Sequence, residues 1–374
     1  MVNKKPLVLA IGAGLAMVAV DAAAFDINPR GRFHLDYAAH SEDNAELGDG
    51  FRVRRARIGL NGNIDDDWRY QIEYDFAEDG SAARDVYLRY TGFDAGDLTI
   101  GHFKVPFGLE ELTSSNNITL IERSLPTTTF AQSRRVGVGY SASADNWTAS
   151  VMGFGQGSGS GTRSTDGDEG LGVGGRFTFN PIKTDNQLVH LGIAATWEQP
   201  EDDGIEEVRF RTRPESRPTK VRLVDTGSIS DVDNITQLGL EAAWQSGPFS
   251  VQGEYIRSDV SRGNGESDVD FSGWYVSGSW VLTGESRGYR GGVFRGVSPN
   301  LTSGAWELTA RYSSVDLDDT PTVFGGEEQN FTLGLNWYAN DRIRFMANYV
   351  NVDSERGGVS DDPHIFLMRA QVAF

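Results

Sequence analysis

The sequence predicts an all-β protein, a transmembrane antiparallel β-barrel of about sixteen strands. Three observations predict it: apolar and polar residues alternate with period two, the first residues have the layout of an export signal, and the last residues form an alternating strand ending in Phe374. Alternating segments of about ten residues are typical of a barrel with lipid outside and water inside. A soluble sandwich also alternates, with its apolar face inward, but the two ends of the chain favour the barrel.

Residues 1–24 have the three zones of a secretory signal peptide. Lys4 and Lys5 precede an apolar run at 7–20, and three alanines follow at 22–24. We therefore expect cleavage after Ala24, leaving residues 25–374 as the barrel domain. The apolar run is shorter than the roughly 20 residues of a spanning helix, which disfavours the alternative of a permanent anchor. The chain has no cysteine, so we expect its stability to come from closed strand pairing rather than disulfides.

The alternation divides the rest of the chain into strands, turns and loops. Short turns at 65–66, 143–145, 246–248 and 340–341 and long polar loops at 156–170, 198–235, 258–270, 315–329 and 351–363 predict one rim of turns and one of loops. The connector at 283–303 is long where this rule expects a short turn. The predicted strands are 29–38, 51–64, 67–76, 85–91, 97–103, 134–141, 146–155, 171–180, 187–197, 236–245, 249–257, 271–282, 304–314, 330–338, 342–350 and 364–374.

The charge balance is acidic, with a formal net charge of −19. Without the predicted signal, 34 basic and 53 acidic residues become 32 and 52, because Lys4, Lys5 and Asp21 are lost. This argues against a nucleic-acid partner, which usually meets a basic face. About half of the remaining acids fall in the long loops. The Debye length of about 8 Å in physiological salt screens such rim charges from a deeper constriction, so local charge should decide selectivity.

Three arginine groups stand out: the run at 209–222, Arg55 with Arg57, and Arg30 with Arg32, which likewise alternate with apolar residues. Arg55 and Arg57 alternate with Ala56 and Ile58, which places both guanidiniums on the lumen side of a strand. Arg54 has the opposite parity, so the outer rim or a subunit contact remains an alternative. Guanidinium offers a fork of donors matched to phosphate oxygens, and rings of Arg and Lys select anions in pores. The full set of track candidates is Arg54, Arg55, Arg57, Arg209, Arg211, Arg213 and Arg217.

Two alternatives compete with a lumenal track for residues 209–222. They are solvated loop charges and contacts to lipopolysaccharide phosphates. The connector from Lys104 to Ser133 is long and rich in both charge signs, and we expect it to fold into the bore as a constriction loop, with an exposed loop as the alternative. Its basic candidates are Lys104 and Arg123.

Other patterns carry little chemistry. Residues 170–175 fit the letters of a dinucleotide fingerprint but lead into a strand, where the fingerprint needs a helix. Asp166, Asp168 and Glu169 miss the spacing of a calcium loop, and the five histidines show no metal-ligand spacing. We expect no metal site, no cofactor and no enzymatic activity.

Several segments resemble the phosphate-selective porin O and P family over nearly the whole chain after residue 24. Together and in order they are specific, although no single piece is. These segments are 51–58 (FRVRRARI), 100–110 (IGHFKVPFGLE), 112–115 (LTSS), 122–124 (ERS), 213–217 (RPESR), 282–285 (LTGE) and 334–338 (GLNWY).

The resemblance implies a homotrimer of sixteen-stranded barrels, each with its own pore, in the outer membrane. It also implies an arginine ladder leading to a constriction where basic and hydroxyl groups bind phosphate, with Ser114 and Ser115 in that loop. The phosphate-specific members have lysine at the narrowest point, whereas residues 112–121 here contain no basic residue. The candidates to replace it are Arg123, Lys104, Arg134 and Arg135.

The sequence-based hypothesis is therefore passive diffusion of small anions, phosphate or polyphosphate, through an arginine-lined pore. The expected partners are those anions, outer-membrane lipid and lipopolysaccharide. Two alternatives remain: a weakly selective general porin, and a structural or adhesive barrel with little conductance.

Overall fold

The computed structural model describes residues 25–41, 43–77, 82–155, 170–200 and 207–374. Within these ranges the chain forms a closed antiparallel barrel of sixteen wall strands, as predicted. The predicted signal peptide and most of the predicted loop at 156–170 lie outside the described residues. Neither helix in the described ranges has the length and apolar character needed to cross a membrane.

The wall strands follow one another around the barrel in chain order. The first part of the chain contains β1 (Asn28–Ser41), β2 (Gly50–Asn63), β3 (Trp68–Asp75), β4 (Ala82–Phe93), β5 (Gly96–Lys104), α1 (Leu109–Leu112), α2 (Leu125–Phe130), β6 (Arg134–Ala144), β7 (Trp147–Gly155), β8 (Leu171–Lys183) and β9 (Gln187–Glu198). The second part contains β10 (Arg211–Thr212), β11 (Val224–Asp225), β12 (Val232–Ser246), β13 (Phe249–Arg262), β14 (Val269–Val281), β15 (Tyr289–Arg290), β16 (Val293–Phe294), β17 (Ala305–Asp319), β18 (Val323–Tyr338), β19 (Ile343–Arg356), β20 (Val359–Asp361) and β21 (His364–Ala373).

Pairing of the last wall strand with the first closes the barrel. The wall consists of β1–β9, β12–β14, β17–β19 and β21, and β21 pairs antiparallel with β1. At this seam Gly31 and Phe374 exchange two backbone hydrogen bonds of 2.9 and 3.0 Å. The Phe374 ring lies directly over Gly31, where a Cβ would be 2.5 Å from it. Closure leaves no unpaired wall edge in contact with lipid.

The two faces of the wall have opposite polarity. In β17, Trp306 and Leu308 are exposed on the outside, whereas Glu307, Thr309 and Arg311 are buried on the inside. This is the reverse of a soluble sandwich and suits a wall between hydrocarbon and a polar bore. Every predicted wall strand is present in the described residues.

Three of the predicted long loops are wrong. The loop predicted at 258–270 is only 263–268, because β13 continues to Arg262 and β14 begins at Val269. Residues 315–329 and 351–363 mostly continue the hairpins β17–β18 and β19–β21, with β20 added to the second. Near Ser313 the apolar residues change sides: Val315 and Leu317 turn inward and are buried, while Asp316 and Asp318 turn outward. Val315 and Leu317 pack against the loop segments that fill the mouth. Because the apolar residues move from the outward to the inward positions here, the sequence pattern resembled that of a polar loop.

Two long loops fold into the bore from the long-loop rim. Residues 105–133, with α1 and α2, form the predicted constriction loop, and residues 207–231 cover it near the mouth. Phe130 of the first packs against Phe210 of the second, and both join the apolar cluster of the upper wall. The wall has glycine where the constriction loop approaches closely: a Cβ at Gly334 would lie 2.6 Å from Leu120.

The connector between β14 and β17 enters the bore from the opposite rim. Its β15–β16 hairpin lies inside the barrel, with Phe294 fully buried and the Arg287 guanidinium 4.3 Å from its ring centre. Arg287 also donates to the Asn117 carbonyl in the constriction loop at 3.3 Å. The sequence did not explain why this connector is long. It is long because it folds into the bore from the short-turn rim and contacts the constriction loop.

Candidate functional site

A basic cavity of about 640 Å³ lies between the inserts and one side of the wall. It is bounded by β1–β6, the constriction loop, Arg217 of the mouth loop and Arg295 of the lower connector. Its acidic lining residues are Asp85, Glu111 and Glu122. Its cationic lining residues are Arg30, Arg32, Arg54, Arg55, Arg57, Arg84, Arg89, Lys104, Arg123, Arg134, Arg217 and Arg295.

A β-bulge brings two adjacent arginines into this cavity. In the β1–β2 pairing His34 lies opposite Arg55 but Leu35 lies opposite Val53, so Arg54 is the extra residue. A bulge shifts the side-chain phase by one residue. Arg54, Arg55 and Arg57 therefore all line the cavity. The alternative that Arg54 sits on the outer rim is wrong.

The guanidiniums of β2 differ in their partners. Arg57 bonds Asp75 at 2.7 Å and meets Glu73 at 3.3 Å. Arg55 is buried and contacts His34 at 3.3 Å, but it has no carboxylate partner within the described ranges. Glu122 attracts this guanidinium through space without forming an ion pair with it, so an anion that reached Arg55 would be in direct contact with a buried cation.

Arg32 links the cavity wall to the serines of the constriction loop. Its guanidinium donates to Ser114 Oγ at 3.3 Å and Ser115 Oγ at 3.0 Å, and it meets Glu73 at 3.2 Å. Both serines line the cavity, so hydroxyl donors stand beside guanidiniums. Lys104, Arg123 and Arg134 line it too.

Buried wall residues hold the constriction loop by its backbone. Four side chains from β17, β18, β19 and β21, here termed the anchor residues, donate to consecutive or nearby carbonyls of the loop. They are Arg344 on Ile118 (2.9 Å), Asn336 on Thr119 (2.8 Å), Arg369 on Ile121 (2.6 Å) and Arg311 on Glu122 (3.1 Å). Sequence reasoning missed these residues, because alternation shows which face a side chain occupies but not what it meets across the bore.

A smaller cavity of about 110 Å³ adjoins the basic cavity at the mouth. Arg211, Arg213 and Arg222 line it, and Arg217 and Arg54 line both cavities. Burial, followed by repulsion from Arg217 and Arg222, lowers the pKa of Arg213 to about 9. Arg213 therefore remains charged at neutral pH, and the basic surface runs from the mouth into the bore.

Two predicted site residues lie elsewhere. Arg209 forms a two-pronged ion pair with Asp225, both bonds 2.6 Å, and its side chain is 44% exposed. Arg135 lies 3.5 Å from Glu198. Both border a separate cavity of about 290 Å³ on the other side of residues 129–133. The structure thus does not bring Arg209 and Arg135 together with the other candidates.

Arg30 and Arg32, which alternation placed on the lumen side, both line the cavity. Arg84, Arg89 and Arg295 were not among the predicted sites, although Arg89 alternates with apolar residues on its strand. Arg84 enters through an irregularity in the β3–β4 pairing. Arg295 lies on the lower connector, whose path into the bore has no periodic signal.

The remaining motifs add no second site. Residues 171–175 of the apparent dinucleotide fingerprint belong to β8. The acids Asp166, Asp168 and Glu169 lie outside the described residues. Asp316, Asp318 and Glu327 lie close enough to share a cation on the outside of the wall, but clusters of this kind on a surface are common without one.

A closed lipid-facing barrel with a charged bore narrowed by inserted loops is an outer-membrane porin. The sequence comparison defines the kind of porin, since a family profile matches residues 27–374. The chain belongs to the phosphate-selective porin O and P family. Its predicted family, fold and outer-membrane location are therefore confirmed.

Three similar proteins illustrate the relationship. The chain is 28% identical to Porin O of Pseudomonas aeruginosa over 408 aligned residues, covering 98% of this chain and 92% of that protein. Its fold is similar to that of the anion-selective porin from Comamonas acidovorans, with a TM-score of 0.62, 13% identity and coverage of 94% and 100%. OmpT of Vibrio cholerae in its trimer form matches with a TM-score of 0.56, 13% identity and coverage of 94% and 100%.

Proposed function

We propose that this porin passes small phosphate-like anions passively through the basic cavity. The observation that carries the proposal is the lining of that cavity, with twelve cationic side chains against three acidic ones. Such an excess attracts anions and repels cations where the bore is narrow and partly dehydrated. The acidic net charge of the chain does not oppose this, because charges beyond about 8 Å are largely screened.

The basic groups form a series of steps along the pore axis. Arg211, Arg213 and Arg217 stand at the mouth, and Arg54 and Arg55 follow below them. The strand pairing then sets Arg32 opposite Arg57, with Arg30 two residues nearer the short-turn rim. Alternate residues of a strand are about 6.6 Å apart. An anion can therefore reach the next guanidinium before it fully leaves the last.

Oxyanion chemistry suits the groups at these steps. Arginine presents paired N–H donors to two oxygens at once, and the serine and threonine hydroxyls of the constriction loop add neutral donors. Ser114, Ser115, Thr127 and Thr128 all line the cavity. Bonds to several weakly held donors allow binding and release without covalent chemistry or energy coupling.

We also propose that the protein works as a homotrimer within outer-membrane lipid and lipopolysaccharide. The trimer form of OmpT, which has the same fold, supports the oligomeric state. The exposed apolar and aromatic outer surface, for example Trp274, Trp280 and Trp306, supports contact with lipid.

The test is the reversal potential in a planar bilayer under a salt gradient. The wild-type protein is expected to prefer anions, and Arg55→Glu with Arg57→Glu should reduce the anion-to-cation permeability ratio by about tenfold or more. Arg257→Glu is the matched control, because Arg257 is exposed, 45% in its side chain, and pairs with Asp259 near the rim. Cation preference in the wild type would overturn the proposal.

A second candidate, a weakly selective general porin, is favoured by one observation. The constriction loop has no basic residue at 112–121, and Glu111 precedes this stretch inside the cavity. A phosphate titration of the chloride current separates the candidates, since only a phosphate-binding pore is blocked at low phosphate. Negligible conductance would instead support a structural or adhesive barrel.

A further inference from the structure

The three acids of the basic cavity are held in different ways. Asp85 receives two bonds from Arg134, at 3.0 and 2.9 Å. Glu122 receives two bonds from Arg54, at 2.6 and 3.1 Å. Each of these acids is thus matched to a guanidinium in a closed pair. Glu111 has no such pair.

Glu111 gives one oxygen to each of two cations. Its Oε1 lies 3.0 Å from Lys104 Nζ, and its Oε2 lies 3.2 Å from Arg123 Nε. Lys104 comes from the wall at the end of β5, whereas Arg123 comes from the far end of the constriction loop. The carboxylate therefore stands between two donors that an entering oxyanion would also seek.

Both cations also contact the backbone of the constriction loop. Arg123 donates to the backbone carbonyls of Glu110 (3.0 Å), Glu111 (3.1 Å) and Thr113 (2.9 Å). Lys104 Nζ also contacts the Glu111 carbonyl. Arg123 thus keeps three backbone bonds and Lys104 keeps one without the carboxylate, so both cations stay attached to the loop when the Glu111 charge is removed.

We propose that Glu111 is an affinity-determining residue that weakens oxyanion binding at Lys104 and Arg123, so that a bound anion is released. This inference rests on the proposed anion transport. The carboxylate competes for the N–H donors and repels the anion across a short, poorly screened distance. Conduction requires binding weak enough for the anion to leave, and Glu111 provides that weakening in a cavity otherwise crowded with cations.

Removing the charge should tighten binding and slow release. For Glu111→Gln we expect the phosphate concentration that half-blocks the chloride current to fall on the order of tenfold. The maximal phosphate current should fall as well, because release becomes slower. A purely structural role for Glu111 would not predict tighter binding.

The experiment titrates phosphate against the chloride current of the full-length mature porin in planar bilayers. Glu266→Gln is the matched control, since it removes the same charge from an exposed outer loop, and it should leave the half-blocking concentration unchanged. A lower half-blocking concentration for Glu111→Gln alone supports the inference. An unchanged or higher one, with phosphate block intact in the wild type, overturns it and leaves the transport proposal standing.

A second variant covers the case in which Glu111→Gln does not fold. Glu111→Asp retains the charge and shortens the side chain by one methylene, so its half-blocking concentration should stay within about threefold of the wild type. A tenfold decrease there would overturn the inference, because the charge is still present. A wild-type pore without phosphate block and without anion preference overturns both this inference and the proposed function.

Discussion

The two sides of the bore use arginine for different purposes. On the side of β1–β6, guanidiniums line an open cavity and outnumber the acids. On the side of β12–β21, they are buried in a packed network: Arg369 chelates Asp36 at 2.6 and 2.7 Å, and Arg311 meets Glu110 and Glu215 at 3.0 and 2.6 Å. The role of an arginine in this bore therefore depends on which groups its guanidinium contacts.

The difference lies in whether the charges are balanced. On the packed side, Arg369 and Arg311 have carboxylate partners, and Arg344 donates to a backbone carbonyl; all three hold the constriction loop. In the open side the cations exceed their partners, and the excess charge is available to a solute. Breaking a balanced buried pair leaves an uncompensated charge and is costly, whereas removing one of several crowded like charges relieves repulsion.

The largest expected effect contrasts Arg369→Met with Arg55→Met. Arg369→Met should lower the free energy of unfolding by about 3–5 kcal/mol, because Asp36 and Glu122 lose a buried partner. Arg55→Met should change it by less than about 1 kcal/mol, because no carboxylate among the described residues loses a partner. Urea unfolding in detergent, followed by tryptophan fluorescence, measures both. Equal losses would show that the two sides do not differ in this way.

A smaller effect is expected from Arg213→Gln at the mouth. Arg213 lies above the basic cavity, so we expect it to gather anions rather than to hold them. The single-channel current carried by phosphate should fall about twofold in dilute salt and return to the wild-type value near 1 M salt, where the Debye length is about 3 Å. An equal reduction at both salt concentrations would instead indicate a binding step at Arg213.

The smallest effect is expected from Arg209→Gln. Its guanidinium is partly exposed, is already neutralised by Asp225 and borders the separate cavity. Exposed ion pairs contribute little, so the urea-unfolding midpoint should match that of the wild type. The reversal potential should not move. A clear loss of anion preference would extend the track beyond the basic cavity.

The strands were predictable because lipid imposes a strict alternation on them. Inside the bilayer an outward residue must be apolar, and the inward residue faces a polar bore, as β17 shows with Trp306, Glu307 and Leu308. Above the bilayer this constraint ends. There Val315 and Leu317 turn inward onto folded loops. Alternation with apolar residues outward located the strand within the bilayer, but it could not detect the continuation, where the apolar residues face inward.

The site was only partly predictable for a related reason. Alternation placed Arg55 and Arg57 in the lumen, but the bulge at Arg54 depends on the pairing register with β1. Contacts across the bore, such as Arg344 on Ile118, join residues more than two hundred positions apart. Periodicity within one strand cannot encode such partners, so it could not separate the anchor residues from those of the cavity.

The hairpins that extend beyond the hydrocarbon region change what the outer surface of the wall contacts. From Ser314 to Asp319 the outward residues of β17 are no longer apolar, and six residues of extended chain span about 20 Å. The wall therefore rises as a collar above the lipid surface on that flank. On that flank Asp316 and Asp318 face outward, so the extended wall presents acidic groups to water rather than apolar groups to lipid.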